Sequence, residues 1–185
     1  MLIGEGVEEV LFFEGFVNNL GISGVQIEQY NGKSGLGAYL KALKNRSGFT
    51  RVEKLGIVRD ADDDAAGAAA SVDGAVAQAA FPASLVVKKL VVPGRSEFGA
   101  LENLCLRTIA GQPIETCIEE YLTCATRATS ITHATTTNRA KARIHAWLAA
   151  QQEPDLRLGH AAKKGLLDWR SPAFDELKAF LRDLA

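Results

Sequence analysis

The sequence predicts an α/β fold, in which a mostly parallel sheet of about four strands is flanked by helices and followed by a helical C-terminal extension. In the first half of the chain, short apolar segments alternate with longer segments of helical periodicity. This order is typical of parallel strands joined by helical crossovers. After Pro93 the apolar pattern is helical only. Hydrophobic residues make up 47% of the 185 residues, which is enough for a substantial core.

Each element follows from its own pattern. Strands are predicted where a short segment is apolar, β-branched or alternating, at residues 1–4, 25–30, 52–59 and 85–92. Helices are predicted where apolar residues recur at helical spacing, at residues 7–20, 33–44, 63–80, 97–110, 113–127, 139–150 and 172–184. Residues 125–138, rich in threonine and alanine, are predicted to form an exposed loop. We divide the chain into an α/β core, residues 1–110, and a helical extension packed on it, residues 111–185.

Composition indicates an intracellular protein. Three cysteines, Cys105, Cys117 and Cys124, lack a CxxC spacing, and we expect them to be small buried hydrophobic residues in a reducing compartment. The N-terminus has no basic region of the kind that begins a signal peptide, and the chain has no apolar run long enough to span a bilayer. We therefore predict a cytoplasmic location and no membrane partner.

Net charge does not indicate a partner, because the formal value is −1. Basic residues are frequent from Arg139 onward, and a solvated helix face is the simplest interpretation of them. The three histidines, at positions 133, 145 and 160, have no metal-ligand spacing and are expected to lie at the surface or in packing contacts.

The strongest local motif is a strand that ends directly in aspartates, at Asp60, Asp62, Asp63 and Asp64. In extended backbone, residues i and i+2 point to the same side, so Asp60 and Asp62 are predicted to converge on one divalent cation. Mg²⁺ prefers oxygen ligands and needs only one or two carboxylates for each ion. The alternative is that an aspartate caps the following helix. Capping requires one aspartate, and Asp63 and Asp64 are the better candidates for it.

Further acidic residues are predicted at the ends of two other strands. Glu5 lies between two glycines after the first strand, and Glu9 follows in the first turn of the next helix. Glu102 lies at the start of the helix after the fourth strand. Ligand sites in parallel α/β folds lie beyond the carboxyl ends of the strands, where all of these residues are expected. The alternative is that carboxylates favour the N-terminal ends of helices.

These motifs, a strand-Glu-Gly turn that opens a helix and then a strand that ends in Asp-x-Asp, resemble the TOPRIM signature. This signature is shared by topoisomerases, bacterial primases and nucleases of the OLD (overcoming lysogenization defect) family. The chain is most similar to small TOPRIM-like proteins related to the OLD branch, through residues 1–110 and through two tail segments, residues 154–160 and 171–177. The resemblance implies a TOPRIM-like Rossmannoid fold.

The resemblance also implies roles for individual residues. Glu5 matches the family's glutamate, a general acid or base or a metal ligand, and Asp60 and Asp62 match the metal-binding pair. Glu9 and Glu102 match further acidic positions of OLD-like proteins. Lys33, in the loop after the second strand, matches a basic residue that meets a phosphate. Gly4 and Val7 depart from the usual residues of the first motif, and these 185 residues include no OLD-type ATPase domain.

Our leading hypothesis is Mg²⁺-dependent (or Mn²⁺-dependent) phosphodiester chemistry on DNA or RNA. In this hypothesis Glu5, Asp60, Asp62 and Lys33 are catalytic, and Glu5, Glu9, Asp60, Asp62 and Glu102 bind metal. The rival is a non-catalytic module that binds metal or nucleotide and acts through a partner protein such as an ATPase. A third interpretation is a structural domain whose aspartates only cap helices.

Overall fold

The protein folds around a sheet of four parallel strands, in the spatial order β2-β1-β3-β4, with helices on both faces. A computed structural model describes residues 1–94 and 96–185. The strands are β1 (Leu2–Gly4), β2 (Ile27–Gln29), β3 (Lys54–Asp60) and β4 (Val86–Val92). The predicted α/β fold class is confirmed.

The helices follow the predicted order, with three corrections. They are α1 (Val7–Asn19), α2 (Leu36–Leu43), α3 (Ala65–Ala79), α4 (Leu101–Leu106), α5 (Pro113–Thr129), α6 (Thr136–Ala149), α7 (Leu158–Lys163) and α8 (Asp175–Leu184). Short 3₁₀ turns, Lys33–Gly35 and Pro172–Phe174, lead into α2 and α8, and a third covers Phe49–Arg51.

The first correction concerns the segment after β4, where the predicted helix over residues 97–110 is too long. Gly99 has a φ of +130° and exchanges two backbone hydrogen bonds with Asp62, both of 2.6 Å. The Asn103 side chain then accepts from the N–H of Ala100 at 2.9 Å. Because these contacts hold the backbone in a non-helical path, α4 begins only at Leu101.

The second and third corrections concern the C-terminal half. The loop predicted over residues 125–138 is shorter, because α5 continues to Thr129 and the Thr135 hydroxyl caps α6 through the N–H of Asn138. Alanine is the strongest helix former and threonine serves well as an N-cap, so this composition suits two helix ends. The helix α7 was not predicted. It packs closely on α1, where the Glu8 carboxylate accepts from the N–H of Gly159.

Successive strand residues face opposite sides of the sheet and build two cores. Leu2 and Val58 join a large cluster with α1 and with the helices that follow β4. Ile3 and Ile57 join a second cluster with α2 and α3. Helices after residue 110 therefore share one core with α1. At Gly56 the strand makes room for the Leu184 side chain of α8, since an added Cβ would lie 2.4 Å from it.

The topology creates a crevice at one edge of the sheet. The crossover from β1 to β2 runs through α1 on one face, whereas the crossovers through α2 and α3 lie on the other face. The chain therefore leaves β1 and β3, which are neighbours, toward opposite faces. This is a topological switch point, where open α/β sheets bind their ligands.

Two expectations about the surface have different outcomes. Cys105 is buried as expected, but the prediction of burial is wrong for Cys117 and Cys124, which are exposed. Both lie on α5, where Ile118 is the one fully buried residue. Within the described residues, no helix combines the length and apolar character needed to cross a membrane.

Candidate functional site

The predicted site residues lie around the crevice outside the carboxyl ends of β1 and β3. Glu5 follows β1, Lys33 follows β2, Asp60 is the last residue of β3, and Glu102 is the second residue of α4. They form two groups. We call Glu9, Asp60 and Glu102 the acidic corner, and Glu5, Lys33, Arg59 and Asp62 the mixed corner.

The acidic corner concentrates negative charge around Asp60. Burial raises the pKa of Asp60 well above its ordinary value, and the charges of Glu102, Glu9 and Glu5 raise it further. One backbone contact opposes this effect, because the N–H of Leu101 donates to Asp60 Oδ1 at 3.1 Å. Like charges that share a partly buried site disfavour ionisation, and a bound cation would relieve that repulsion.

The other two carboxylates of the acidic corner have distinct surroundings. Glu9 Oε2 accepts from the N–H of Gly6 at 2.9 Å, which fixes the first turn of α1. Burial raises the pKa of Glu102, and the charge of Glu9 adds to this effect. Its own backbone N–H, and the charges of Lys141 and His145 on α6, act in the opposite direction. The positive charges that act on Glu102 therefore come from α6, in the C-terminal half of the chain.

The mixed corner places cations near both of its carboxylates. Lys33 forms an ion pair with Asp62, and both side chains are partly exposed. Arg59 is only 9% exposed, and its Nη1 donates to the carbonyl oxygen of Lys33 at 3.3 Å. Burial raises the pKa of Glu5, whereas the charges of Arg59 and Lys33 lower it. Two buried atoms of this corner, Glu5 Oε2 and Arg59 Nε, have no hydrogen-bond partner within the described part of the chain.

The geometry separates the two aspartates that the sequence predicts to act as a pair. The strand ends at Asp60, and Asp62 has a φ of +50°, so the backbone between them is not extended. The i, i+2 argument for convergence therefore does not apply, and Asp62 lies with Lys33 in the mixed corner. Asp64 caps α3, since its Oδ1 accepts from the N–H of Gly67 at 2.8 Å. The predicted capping role is confirmed for Asp64.

Sequence reasoning missed Arg59, Tyr30, Lys141 and His145. The sequence could have indicated Arg59, because it is a charged residue that directly follows the apolar positions of a strand and precedes Asp60. The buried Tyr30 hydroxyl donates to the carbonyl oxygen of Val58 at 3.2 Å, next to the site. Burial raises the pKa of this hydroxyl, and the charge of Glu5 adds to the effect. Lys141 and His145 have no comparable signal, because only packing brings α6 to α4.

The side chains are not yet arranged as a coordination shell. Within residues 1–94 and 96–185, no group of three or more His, Cys, Asp or Glu side chains is placed so that it could hold a metal ion. A carboxylate has about four lone-pair positions, so the contacts of Glu9, Asp60 and Asp62 leave oxygen positions free. Together with the unpartnered Glu5 Oε2, the donor set is carboxylate oxygen, which suits Mg²⁺ or Mn²⁺. The donor type therefore suits a hard divalent ion, whereas the present placement of the side chains does not form a coordination shell.

Comparison with known proteins gives one family and no function. A family model described as "Protein of unknown function (DUF3226)" matches residues 1–185. No curated protein and no solved structure shows significant similarity to the chain.

Proposed function

We propose that this chain, which belongs to the DUF3226 family of proteins of unknown function, binds Mg²⁺ or Mn²⁺ in the acidic corner and acts on phosphodiester bonds of DNA or RNA. One observation carries the proposal: the switch-point crevice between β1 and β3 brings partly buried carboxylates together, and the described charges that act most strongly on Asp60 are those of Glu102, Glu9 and Glu5. The resemblance of the first and third strand motifs to TOPRIM domains supports the same chemistry. The proposal includes a cytoplasmic location, which suits three free thiols.

The acidic corner and Glu5 would hold the ion. Asp60 has the strongest electrostatic need for a cation, and Glu102 and Glu9 contribute to its raised pKa. Glu5 offers a buried oxygen without a hydrogen-bond partner. A divalent ion bound there supplies Lewis-acid stabilisation of a phosphate and an activated water.

The mixed corner would hold the phosphate side of the substrate. Lys33 is 49% exposed and reaches the crevice from the loop after β2, so its ammonium is available to a phosphate oxygen. This contact would replace its ion pair with Asp62 and release the Asp62 carboxylate toward the metal. In this way Asp62 keeps the role that the TOPRIM resemblance implies, although it is paired with Lys33 in the structure.

The rival function is a non-catalytic module that binds metal or nucleotide and acts through a partner protein such as an ATPase. The observation that favours it is the absence, among the described side chains, of three ligands already arranged around one point. A site that must rearrange before it binds metal is suited to completion by a partner or by substrate.

Cleavage assays with Mg²⁺ or Mn²⁺ on single-stranded and double-stranded DNA and RNA test the catalytic proposal. We expect metal-dependent cleavage by the wild type and its loss in the Asp60→Asn variant. Asp73→Asn is the matched control, because Asp73 lies on α3 in an exposed ion pair with Lys89. Equal activity of the wild type and Asp60→Asn would refute the catalytic proposal. Binding of Mg²⁺ in calorimetry without cleavage would favour the rival.

A further inference from the structure

The helix α6 carries basic side chains on two different faces. On one face, Arg139 Nη2 lies 3.0 Å from Glu119 Oε2, and Arg143 Nη2 lies 2.8 Å from Glu115 Oε1. Both acids belong to α5, so these arginines hold the two helices together. Their charges are already balanced and offer little to an external anion.

The other face of α6 presents Lys141 and His145, which are one helical turn apart and exposed. Neither has an ion-pair partner among the residues that the structure describes. Their position is fixed by the core, because Ile144 and Leu148 of α6 share a buried cluster with Leu101 and Leu104 of α4. This packing holds the Lys141 face beside the start of α4.

Glu102 lies in the first turn of α4, and its carboxylate is influenced by the charges of α6. The helices α4 and α6 are in direct contact, which places the Lys141 face near the Glu102 carboxylate. The charges of Lys141 and His145 both lower the pKa of Glu102, as this placement requires. Lys33, the exposed cation of the mixed corner, is held by Asp62 near Glu5 instead. A cation therefore lies near each corner, Lys33 from the loop after β2 and Lys141 from α6.

A nucleic acid that approaches the acidic corner meets carboxylates that repel its phosphates. A cation beside those carboxylates offsets the repulsion and places the strand across the site. We infer that Lys141, assisted by His145, binds the phosphate backbone of the nucleic acid next to the scissile position. This inference rests on the proposed function, and it makes α6 part of the substrate-binding surface.

The chemistry of the two side chains suits this role. The lysine ammonium has three donors and acts as a point charge, which binds phosphate without reading the base sequence. An imidazole N–H donates to a phosphate oxygen in either protonation state. Such contacts fix the register of a strand and give binding a measurable dependence on salt.

The test is fluorescence anisotropy of labelled single-stranded DNA and RNA with the 185-residue chain in Mg²⁺, over a series of KCl concentrations. We expect Lys141→Gln to weaken binding several-fold at low salt and to reduce the salt slope by about 1, the effect of one lost phosphate contact. Lys141→Arg should keep the wild-type slope. Lys163→Gln is the matched control, because Lys163 is an exposed lysine on α7 that pairs with Glu14.

The outcomes separate this inference from the function on which it rests. If Lys141→Gln binds with the wild-type affinity and slope while the wild type cleaves, the inference is wrong and the function stands. If the wild type binds no nucleic acid, both the inference and the nucleic-acid substrate are wrong. A Mg²⁺-induced rise in melting temperature would then still support the metal site. Thermal melts of each variant identify any loss that comes from unfolding.

Discussion

The acidic corner and the mixed corner lie at the same edge of the sheet, yet the carboxylates of the two corners have neighbours of opposite charge. In the mixed corner Glu5 and Asp62 have Arg59 and Lys33 as neighbours, so the protein supplies its own cations. In the acidic corner, the described charges that act most strongly on Asp60 are those of Glu102, Glu9 and Glu5. The difference indicates where a metal ion would be stabilising and where a phosphate would be.

The largest expected effect compares the metal affinity of variants in the two corners. Asp60→Asn and Glu102→Gln should each weaken Mg²⁺ binding more than about 10-fold, since changes even outside the first ligands of a metal cost 10- to 100-fold. Asp62→Asn should cost less, because Asp62 is paired with Lys33. Isothermal titration calorimetry measures all three. A larger loss of Mg²⁺ affinity in Asp62→Asn would indicate that the metal binds in the mixed corner instead.

The next effect concerns Arg59, whose positive charge acts more strongly on Glu5 than that of Lys33. Arg59→Gln should lower the free energy of unfolding by roughly 1–3 kcal/mol, because it removes the stronger of the two cationic charges that compensate the partly buried Glu5 carboxylate. Addition of Glu5→Gln should restore part of the loss. Urea denaturation of the single and double variants gives the coupling, with Arg182→Gln on the exposed side of α8 as the control. Additive effects would show that the two charges do not interact.

The third prediction is that a substitution at the candidate site, Asp60→Asn, stabilises the metal-free protein. Because the pKa of Asp60 is raised in the folded state, its stabilising contribution is present at low pH and is lost as pH rises through the folded pKa. In metal-free buffer Asp60→Asn should therefore raise the free energy of unfolding at neutral pH, by an amount on the order of 1 kcal/mol.

The pH series provides the control for this prediction. The advantage of Asp60→Asn should be small below about pH 4, the range of an unfolded aspartate, and should grow above it. Saturating Mg²⁺ should reverse the order of the two proteins, because only the wild type retains the carboxylate. A variant that is less stable than the wild type at every pH would contradict the raised pKa.

The smallest effect is expected for the ion pair of the mixed corner. Lys33 and Asp62 are 49% and 27% exposed, so their coupling should be about 0.2–1 kcal/mol and should decrease with salt. A double-mutant cycle with Lys33→Ala and Asp62→Ala measures it. A coupling well above this range would mean that the pair is a fixed structural contact, which would weaken the proposed exchange of Lys33 onto phosphate.

Local sequence determined most of the elements of this protein. The alternation of apolar and periodic segments predicted four strands and the order of the helices that join them, because side-chain period and burial are coupled along a strand or a helix. It also predicted that Glu5, Lys33, Asp60 and Glu102 follow strand ends, since motif position depends only on where each strand stops. The capping role of Asp64 followed from the same local logic.

Tertiary structure decided how these residues are grouped. Asp62 leaves the extended backbone of β3 because Gly99, 37 positions later, forms backbone hydrogen bonds with it where its φ is left-handed. Arg59 becomes the internal partner of Glu5, and α6 brings Lys141 to Glu102, only after the sheet and helices pack. Charge interactions depend on distances across the fold, whereas the sequence pattern reports local periodicity. For that reason the sequence predicted a set of acidic residues, and the fold separated them into two corners.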